Sequence, residues 1–427
     1  MRIAFYTLGC KVNQYETQVL QQFFRKDGFQ LVHPDEVADV YVVNSCTVTA
    51  SGDKKTRQVL HRFQRQNPNA VLALTGCMPQ AFPQQAEELA GAQVITGAYN
   101  RKGLLDAVKK AVSTGERVID ITRHERGEVF EEMQADGLME RTRAFVKIQD
   151  GCERFCSYCI IPTARGYMRS KPIHKMREEI GALAQKGFLE VVLVGINLSC
   201  YGVDIGLSLI DAVEAACQVE GIRRVRLSSL EPELLTLEHI IRLRDQEKFC
   251  PHFHLSLQSG CDATLKRMNR HYTAKEYMEI VDNIRAVFDN SAITTDVMVG
   301  FPGETREEFS QSMDFVQRVG FAKAHVFAYS RRKGTAADLM PGQAASGIKA
   351  ERSRQMMALT EKTRDIFLAG QAGRHCQVLF EACEKGWCHG YSENYTPVKI
   401  QGEHLEGQIR TVLMESAHEG EMMGQLA

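Results

Sequence analysis

The sequence predicts an α/β protein made of two successive α/β segments and a small C-terminal β-barrel. Short apolar runs alternate with helical patterns from residue 1 to about 112, and they do so again from 142 to about 370. This alternation is typical of βα units with parallel strands. From residue 371 to 427 the pattern changes to short strands separated by turns. A chain of 427 residues is also long enough for two or three domains.

The first segment, residues 1–112, is predicted to be a parallel βαβ domain. Strands are expected at 2–7, 39–44 and 70–75, and helices at 13–27, 51–66 and 101–112. A cysteine follows each strand, namely Cys10, Cys46 and Cys77. Ligands of open α/β sheets bind at the carboxyl ends of the strands, so these thiols could converge on one place. The polar, Glu-rich residues 113–141 are interpreted as a linker.

The central segment, residues 142–370, contains six βα units. Its strands are expected at 144–148, 189–194, 223–228, 252–257, 292–299 and 321–328, with helices including 174–186, 207–219, 304–319 and 347–370. Six units fit a partial (β/α)6 barrel better than a doubly wound sheet. Periodicity alone does not separate the two. In the last segment, 371–427, strands are expected at 376–381, 396–400 and 407–413.

Composition excludes few classes of function. The 52 basic residues nearly cancel the 53 acidic ones, so net charge neither requires nor rules out a nucleic acid partner. The chain has no run of 18 apolar residues and no apolar leader, which predicts a cytoplasmic protein with no membrane partner. Thirteen cysteines in a reducing compartment suggest metal or catalytic use before disulfides.

Three cysteines form a C-x3-C-x2-C loop directly after the first strand of the central segment. They are Cys152, Cys156 and Cys159. Three thiolates can hold three irons of a 4Fe-4S cluster and leave the fourth iron open to a ligand. A structural zinc site normally needs four protein ligands, and no fourth Cys or His lies at a suitable spacing. Zinc or unrelated buried thiols are the alternatives.

This triplet resembles the motif of the radical S-adenosylmethionine (SAM) superfamily, whose fold is a partial barrel. The resemblance implies that the open iron binds SAM and that electron transfer cleaves SAM to a 5'-deoxyadenosyl radical. Asn197 stands where many members carry an acid, after Val-Leu-Val-Gly195. Leu-Ser256-Leu-Gln258 and Met-Val-Gly300-Phe-Pro-Gly-Glu resemble further SAM-lining strand ends. The cofactor-binding residues implied in this way are Tyr158, Gly195, Asn197, Ser256, Gln258 and Gly300.

The contexts of the other three cysteines resemble the N-terminal domain of methylthiotransferases. They are Leu-Gly-Cys10-Lys-Val-Asn-Gln-Tyr-Glu, Asn-Ser-Cys46-Thr-Val-Thr and Thr-Gly-Cys77-Met-Pro-Gln. The resemblance implies that Cys10, Cys46 and Cys77 hold a second 4Fe-4S cluster. It also implies that residues 371–427 form a TRAM domain, which is a small β-barrel that binds RNA. The resemblance covers all three segments in order.

Within that family, the residues around Cys10 are most similar to the type that acts on N6-threonylcarbamoyladenosine at position 37 of tRNA. The implied product is the 2-methylthio derivative, made with two SAM molecules and both clusters. The implied partners are the tRNA anticodon loop and a reductant such as a flavodoxin or ferredoxin system. Alternatives are the types that act on N6-isopentenyladenosine 37 or on an aspartate of ribosomal protein uS12. A rival class is a non-catalytic RNA-binding module folded around zinc.

Basic residues are compatible with RNA binding but do not require it. We expect Tyr391 and Tyr395 to be able to stack on bases. The remaining cysteines are expected to be buried, and a zinc site at Cys376, Cys383, Cys388 and His389 is a minor alternative. The basic groups are Lys54, Lys55, Arg57, His61, Arg62 and Arg65, then Arg165, Arg169, Lys171, Lys175 and Arg177, and finally Arg331, Arg332 and Lys333.

Overall fold

The structure of the protein, a computed structural model, describes residues 1–89, 91–135 and 142–427. The end of the predicted linker, 136–141, therefore lies outside the described residues. Within the described ranges, no helix combines the length and apolar character needed to cross a membrane.

The first segment forms a six-stranded parallel sheet in the order β2-β1-β3-β4-β5-β6. The three predicted strands and three predicted helices are confirmed to within two residues at each end. Three further strands were not predicted, because runs of three to five residues are too short to show a period. One of them, β6, lies inside the predicted linker. The strands are β1 (Arg2–Thr7), β2 (Gln30–Val32), β3 (Val40–Ser45), β4 (Val71–Gly76), β5 (Ala92–Thr96) and β6 (Val118–Asp120). The helices are α1 (Lys11–Lys26), α2 (Ala50–Gln66), α3 (Cys77–Ala81), α4 (Pro83–Glu87) and α5 (Gly103–Thr114).

Both faces of this sheet are buried, which explains its nearly continuous apolar strands. In β3, Val40 and Val42 pack on one side with the residues of α1 and α5. Tyr41 and Val43 pack on the other side with α2, where Phe63 stacks on Tyr41 at 4.3 Å between ring centroids. The helices therefore fix the strands from both sides, and the strand ends carry the cysteines to one edge.

The central segment is a partial barrel, as the radical SAM resemblance implied. Its parallel strands lie side by side in the order of the chain, in two sheets, β7-β10-β11 and β12-β13-β14-β15. In a doubly wound sheet the strand order reverses at a switch point, so this order indicates a barrel. Among the described strands, β7 and β15 are not paired, so the barrel is open between them. The strands are β7 (Arg143–Lys147), β8 (Gln149–Asp150), β9 (Arg169–Ser170), β10 (Glu190–Val194), β11 (Arg224–Leu227), β12 (Ser229–Leu230), β13 (His252–Leu255), β14 (Ala292–Val299) and β15 (Lys323–Ala328). The helices are α6 (Ile161–Arg165), α7 (Ile173–Gln185), α8 (Leu209–Cys217), α9 (Leu237–Arg244), α10 (Asp262–Arg267), α11 (Ala274–Val287), α12 (Arg306–Val319), α13 (Ala336–Leu339) and α14 (Ser346–Ala369).

Helix α1 of the first segment packs against the barrel beside strand β7. Its residues Val12, Tyr15 and Val19 share one buried cluster with Phe145 and Val192 of the barrel. The Tyr15 hydroxyl donates to the Met133 carbonyl at 2.8 Å. Because α1 begins directly after Cys10, this packing fixes the first cysteine relative to the barrel.

The C-terminal residues form the predicted small β-barrel, which is closed and has five strands in the order β16-β17-β18-β20-β19. Two of these strands, Trp387–Ser392 and Glu421–Leu426, were not predicted. Cys376 and Cys388 are buried in its core. Cys383 and Cys388 face each other across the β16–β17 hairpin and form a disulfide, which the sequence did not predict. With their sulfurs joined, these two residues do not provide the thiolates that the alternative zinc site needs. The strands are β16 (His375–Glu384), β17 (Trp387–Ser392), β18 (Pro397–Gln401), β19 (Ile409–His418) and β20 (Glu421–Leu426).

This small barrel packs against the beginnings of the central strands. Arg226 on β11 donates to the Glu393 carbonyl at 2.9 Å and to Glu190 Oε1 at 2.7 Å. Tyr395 stacks on Tyr391 at 4.6 Å and on His252 at 4.7 Å between ring centroids. The prediction that Tyr395 stacks on RNA bases is therefore wrong for this arrangement, because both faces of its ring are covered. For Tyr391, which is stacked by Tyr395, base stacking stays a prediction.

Candidate functional site

The first cysteine set lies where three adjacent strands end. Cys10 follows β1, Cys46 follows β3 and Cys77 begins the helix after β4. The sulfurs of Cys10 and Cys77 lie 3.9 and 4.0 Å from Asn13 Oδ1. A Cβ on Gly9, which has φ +112°, would be 2.8 Å from Cys46 Cβ, so only glycine permits this close approach. The structure therefore brings these three cysteines together.

Most of these thiols are held in their neutral form when no metal is bound. Burial, with repulsion from Cys77, raises the pKa of the Cys46 thiol to about 12. Burial also raises the pKa of Cys77, although the Arg165 guanidinium opposes this effect. Metal ligation requires thiolates, so loading of this site must release protons.

The second cysteine set occupies the loop between β8 and α6. The Cys159 amide donates to the Cys156 carbonyl at 2.9 Å. Arg270 Nη1 lies 3.3 Å from Cys156 Sγ, and Asn197 Nδ2 lies 3.8 Å from Cys152 Sγ. Burial raises the pKa of Cys152 to about 11 and, with repulsion from Cys156, that of Cys159 to about 12. Nearby N–H donors are suited to the negative charge that bound thiolates would carry.

A cavity of about 350 Å³ lies between the two cysteine loops. Val48 and Thr49, just after Cys46, form one wall, and Cys159 lies in another. Gln258 and Asp296 reach it from the barrel strands. A molecule in this cavity would touch the loops of both cysteine sets. The remaining lining residues include Tyr158, Ile160, Ile161, Met298, Phe327, Ala328, Tyr329 and Ser330.

The residues implied to bind SAM occupy different environments. The side-chain oxygens of Asn197 and Gln258 are buried without a hydrogen-bond partner in the described structure, which fits groups that await a polar ligand. Tyr158 and Gln258 line the cavity beside Cys159. The Ser256 carbonyl instead accepts from Tyr272 at 2.6 Å. Gly195 packs on Gln149, and Gly300 packs on Lys349 and donates to Glu304 Oε2 at 2.7 Å.

A buried group of ion pairs that the sequence did not predict joins the two cysteine sets. Glu16, on helix α1, contacts Arg101, Lys147 Nζ at 2.7 Å and Arg165. Burial alone would raise the pKa of Glu16, but the three cations outweigh it and lower this pKa to about 2. Asn13 and Glu16 belong to the motif around Cys10 and lie three residues apart on α1, so both are on its buried face. Two polar residues on the apolar face of a helix are the sequence signal that could have revealed this group.

We expect Glu16→Gln to lower the free energy of unfolding by about 3–5 kcal/mol at pH 7, because it leaves buried cations without their carboxylate. The folded-state pKa of Glu16 lies below the ordinary value of 4.5. Its stabilising contribution is therefore complete well above pH 4.5 and is lost as the pH falls toward 2. Urea unfolding at pH 7 and pH 4 measures both effects. The exposed Glu361→Gln serves as control, and equal stabilities of the two variants would contradict the prediction.

Part of the predicted basic surface is buried. Arg165, Arg169 and Lys171 are at most 2% exposed and pair with carboxylates. Arg332 donates to Thr47 Oγ1 at 2.6 Å and to Asp53 Oδ2 at 2.8 Å. These four residues are therefore not part of a basic surface, because their charges are paired or hydrogen-bonded inside the protein. By contrast, the exposed basic residues of α2 are Lys54, Lys55, Arg57, His61 and Arg65.

Comparisons with known proteins agree with this architecture. Residues 146–316 match the Radical SAM superfamily, and residues 2–97 match the uncharacterized protein family UPF0004. The threonylcarbamoyladenosine tRNA methylthiotransferase MtaB of Bacillus subtilis is 36% identical over 95% of this chain and 92% of its own length. The chain belongs to the radical SAM tRNA methylthiotransferase family. A second relative, tRNA-2-methylthio-N(6)-dimethylallyladenosine synthase of Pelotomaculum thermopropionicum, is 33% identical over 98% of this chain and 96% of its own length.

A solved structure supports the fold. The radical SAM methyltransferase TsrM from Kitasatospora setae, with cobalamin and a 4Fe-4S cluster bound, has a TM-score of 0.59 and covers 79% of this chain and 76% of its own. Its 14% identity shows similarity of fold alone. As a member of its family, this methylthiotransferase is an enzyme that acts on tRNA, uses SAM and two 4Fe-4S clusters, and needs a reductant.

Proposed function

We propose that this methylthiotransferase adds a methylthio group to C2 of N6-threonylcarbamoyladenosine at position 37 of tRNA. The observation that carries the proposal is the cavity of about 350 Å³ that is lined by Cys159 on one side and by Val48 and Thr49, which follow Cys46, on another. Cys10, Cys46 and Cys77 would hold the cluster that carries the sulfur. Cys152, Cys156 and Cys159 would hold the cluster that binds SAM.

The chemistry explains why two sites are needed. The C2–H bond of adenine offers neither an acidic proton nor a leaving group, so acid-base catalysis alone is insufficient. SAM and the clusters, when bound, supply the radical and the methylated sulfur. The protein must then bind the nucleoside between both sites and exclude water. The Asn197 and Gln258 side chains, each with an unpartnered buried oxygen, are suited to hold SAM.

The threonylcarbamoyl substrate is favoured over the isopentenyl one by two observations. The relative named for threonylcarbamoyladenosine is 36% identical to this chain, and the one named for dimethylallyladenosine is 33% identical. The residues Leu8-Gly9-Cys10-Lys11 also resemble those of the threonylcarbamoyl type.

The same proposal includes the partners. The anticodon loop of tRNA would approach the cavity, with the exposed basic residues of α2 contacting phosphates. The C-terminal barrel would act as an RNA-binding TRAM domain through a face other than the one that holds Tyr395. A flavodoxin or ferredoxin system would supply electrons, in the cytoplasm.

Mass spectrometry of tRNA nucleosides tests the substrate. In a strain that lacks this protein, 2-methylthio-N6-threonylcarbamoyladenosine should disappear, and the unmethylthiolated nucleoside should accumulate in its place. Expression of the wild-type chain in that strain should restore the product, because the missing protein is the only difference between the two strains. Loss of the 2-methylthio isopentenyl nucleoside instead would favour the second substrate.

Metal analysis of the anaerobically reconstituted protein separates the enzyme from a zinc-folded RNA-binding module. Two cubane clusters require about eight irons and give the brown absorbance of 4Fe-4S centres. Stoichiometric zinc without iron would overturn the enzymatic proposal, whatever the nucleoside result.

A further inference from the structure

Arg165 connects the two cysteine sets through its side chain. It ends helix α6, which begins two residues after Cys159, and it is fully buried. Its Nε donates to Cys77 Sγ at 3.2 Å. Its Nη2 donates to Asn13 Oδ1 at 2.6 Å, the same oxygen that lies near the sulfurs of Cys10 and Cys77. A guanidinium from the radical SAM loop thus touches the first cysteine set.

The backbone beside Arg165 touches the other set. The Cys152 amide donates to the Gly166 carbonyl at 3.0 Å. Gly166 has φ +68°, and a Cβ there would be 2.5 Å from the His124 ring. A Cβ on Gly151 would be only 1.8 Å from the Tyr167 carbonyl oxygen. The chain is therefore tightly packed here, so a movement of Arg165 would be transmitted to Cys152.

Two carboxylates fix the guanidinium in place. Glu16, six residues after Cys10, accepts from both Nη atoms of Arg165. Asp150, two residues before Cys152, lies 3.7 Å from Nη1 and also pairs with Lys147 and Arg169. The Glu16 carboxylate also pairs with Arg101 and Lys147, so it does not depend on Arg165 for a counter-charge. Pairing with Glu16 therefore does not explain why Arg165 also contacts Cys77. The Nε–sulfur contact therefore calls for its own explanation.

We propose that Arg165 is a positioning residue that holds the two cluster sites in fixed register and raises the reduction potential of the cluster on Cys10, Cys46 and Cys77. This proposal rests on the proposed function, which assigns a cluster to those cysteines. Hydrogen bonds to ligand sulfur and nearby positive charge favour the reduced form of an iron-sulfur cluster, because reduction adds negative charge. An arginine side chain keeps its charge at any physiological pH, so this contribution is constant.

The test compares Arg165→Gln and Arg165→Lys with Arg101→Gln. The control removes another partner of Glu16 but no contact to a cysteine. All three changes are made in the full chain carrying Cys152→Ala, Cys156→Ala and Cys159→Ala, so that only the first cluster is present. Redox titration followed by electron paramagnetic resonance gives the midpoint potential, and iron analysis gives the cluster content.

Arg165→Gln should lower the potential enough to change the oxidised-to-reduced ratio about tenfold at a fixed potential, which corresponds to about 59 mV for one electron. Arg165→Lys should lower it less, because an ammonium keeps the charge but loses the fork that reaches Cys77 and Asn13 together. Arg101→Gln should lower the potential less than Arg165→Gln, because it removes a nearby charge but no hydrogen bond to a cysteine sulfur.

Unchanged potentials in both Arg165 variants, at full cluster content, would overturn the proposal. Loss of the cluster from both Arg165 variants, but not from Arg101→Gln, would support the positioning role. An equal shift in Arg101→Gln would overturn the specific role of Arg165 and assign the effect to the ion-pair group as a whole. If the parent itself holds no iron, the proposed function fails, and that result is distinct from the other three.

Discussion

A Cys152→Ala variant is expected to lose SAM cleavage while remaining folded. Removing an outer partner of a metal ligand typically costs about 10–100-fold in metal affinity or activity, so removing a ligand itself should cost more than about 100-fold. The fold should survive because the Cys152 amide keeps its hydrogen bond to Gly166. Production of 5'-deoxyadenosine from SAM under reducing conditions, measured by liquid chromatography and mass spectrometry, checks the prediction.

Cys217→Ala is the matched control for this loss. Cys217 is a buried thiol that ends helix α8 in the apolar core of the barrel, away from both cysteine loops. This variant should retain cleavage near the wild-type rate. Wild-type cleavage by Cys152→Ala would show that the triplet does not bind the SAM-cleaving cluster.

Cys10→Ala is expected to separate the two halves of the reaction. The variant should still form 5'-deoxyadenosine, because the second cysteine set is complete. It should lose methylthiolation of tRNA by more than about 100-fold, because the first set would keep only two thiolates. Cleavage product and methylthiolated nucleoside are measured in the same assay, so the ratio of the two is the diagnostic quantity.

The outcome of that assay also tests the role given to the first domain. Cys261→Ala, a change at a buried thiol of the barrel, should leave both products unchanged. Methylthiolated tRNA at the wild-type level from Cys10→Ala would refute sulfur delivery from the first set. Loss of both products would mean instead that the first site is needed for SAM cleavage as well.

The C-terminal barrel has a clearer role in the structure than in the sequence. Its loop around Tyr395 packs against the central strands, where Arg226 binds the carbonyls of Ser392 and Glu393. The stacked rings of Tyr391 and Tyr395 lie under Arg143, which pairs with Glu381. The Tyr395 ring is therefore covered on both faces and stabilises the contact between the C-terminal barrel and the central segment.

Much of the fold could be predicted because its longer elements have clear periods. The strands that precede Cys10, Cys46 and Cys77 are apolar and six residues long, and each was located to within one residue. The short strands at Gln30–Val32 and Val118–Asp120 were missed, since three residues show no period. The limits of the three domains stay predictions.

The sequence by itself determined the two cysteine sets, their strand-end positions and the family, because local spacing and strand order carry that information. Only the tertiary structure decided what surrounds the sulfurs. The buried pairing of Glu16 with Arg165, and the contact of Arg165 with Cys77, join residues 149 and 88 positions apart in sequence. In the sequence, Arg165 looked like a basic surface residue. Burial between the first and central segments brings the same charge into contact with Cys77 and Glu16, because a buried cation must find its partners within the fold.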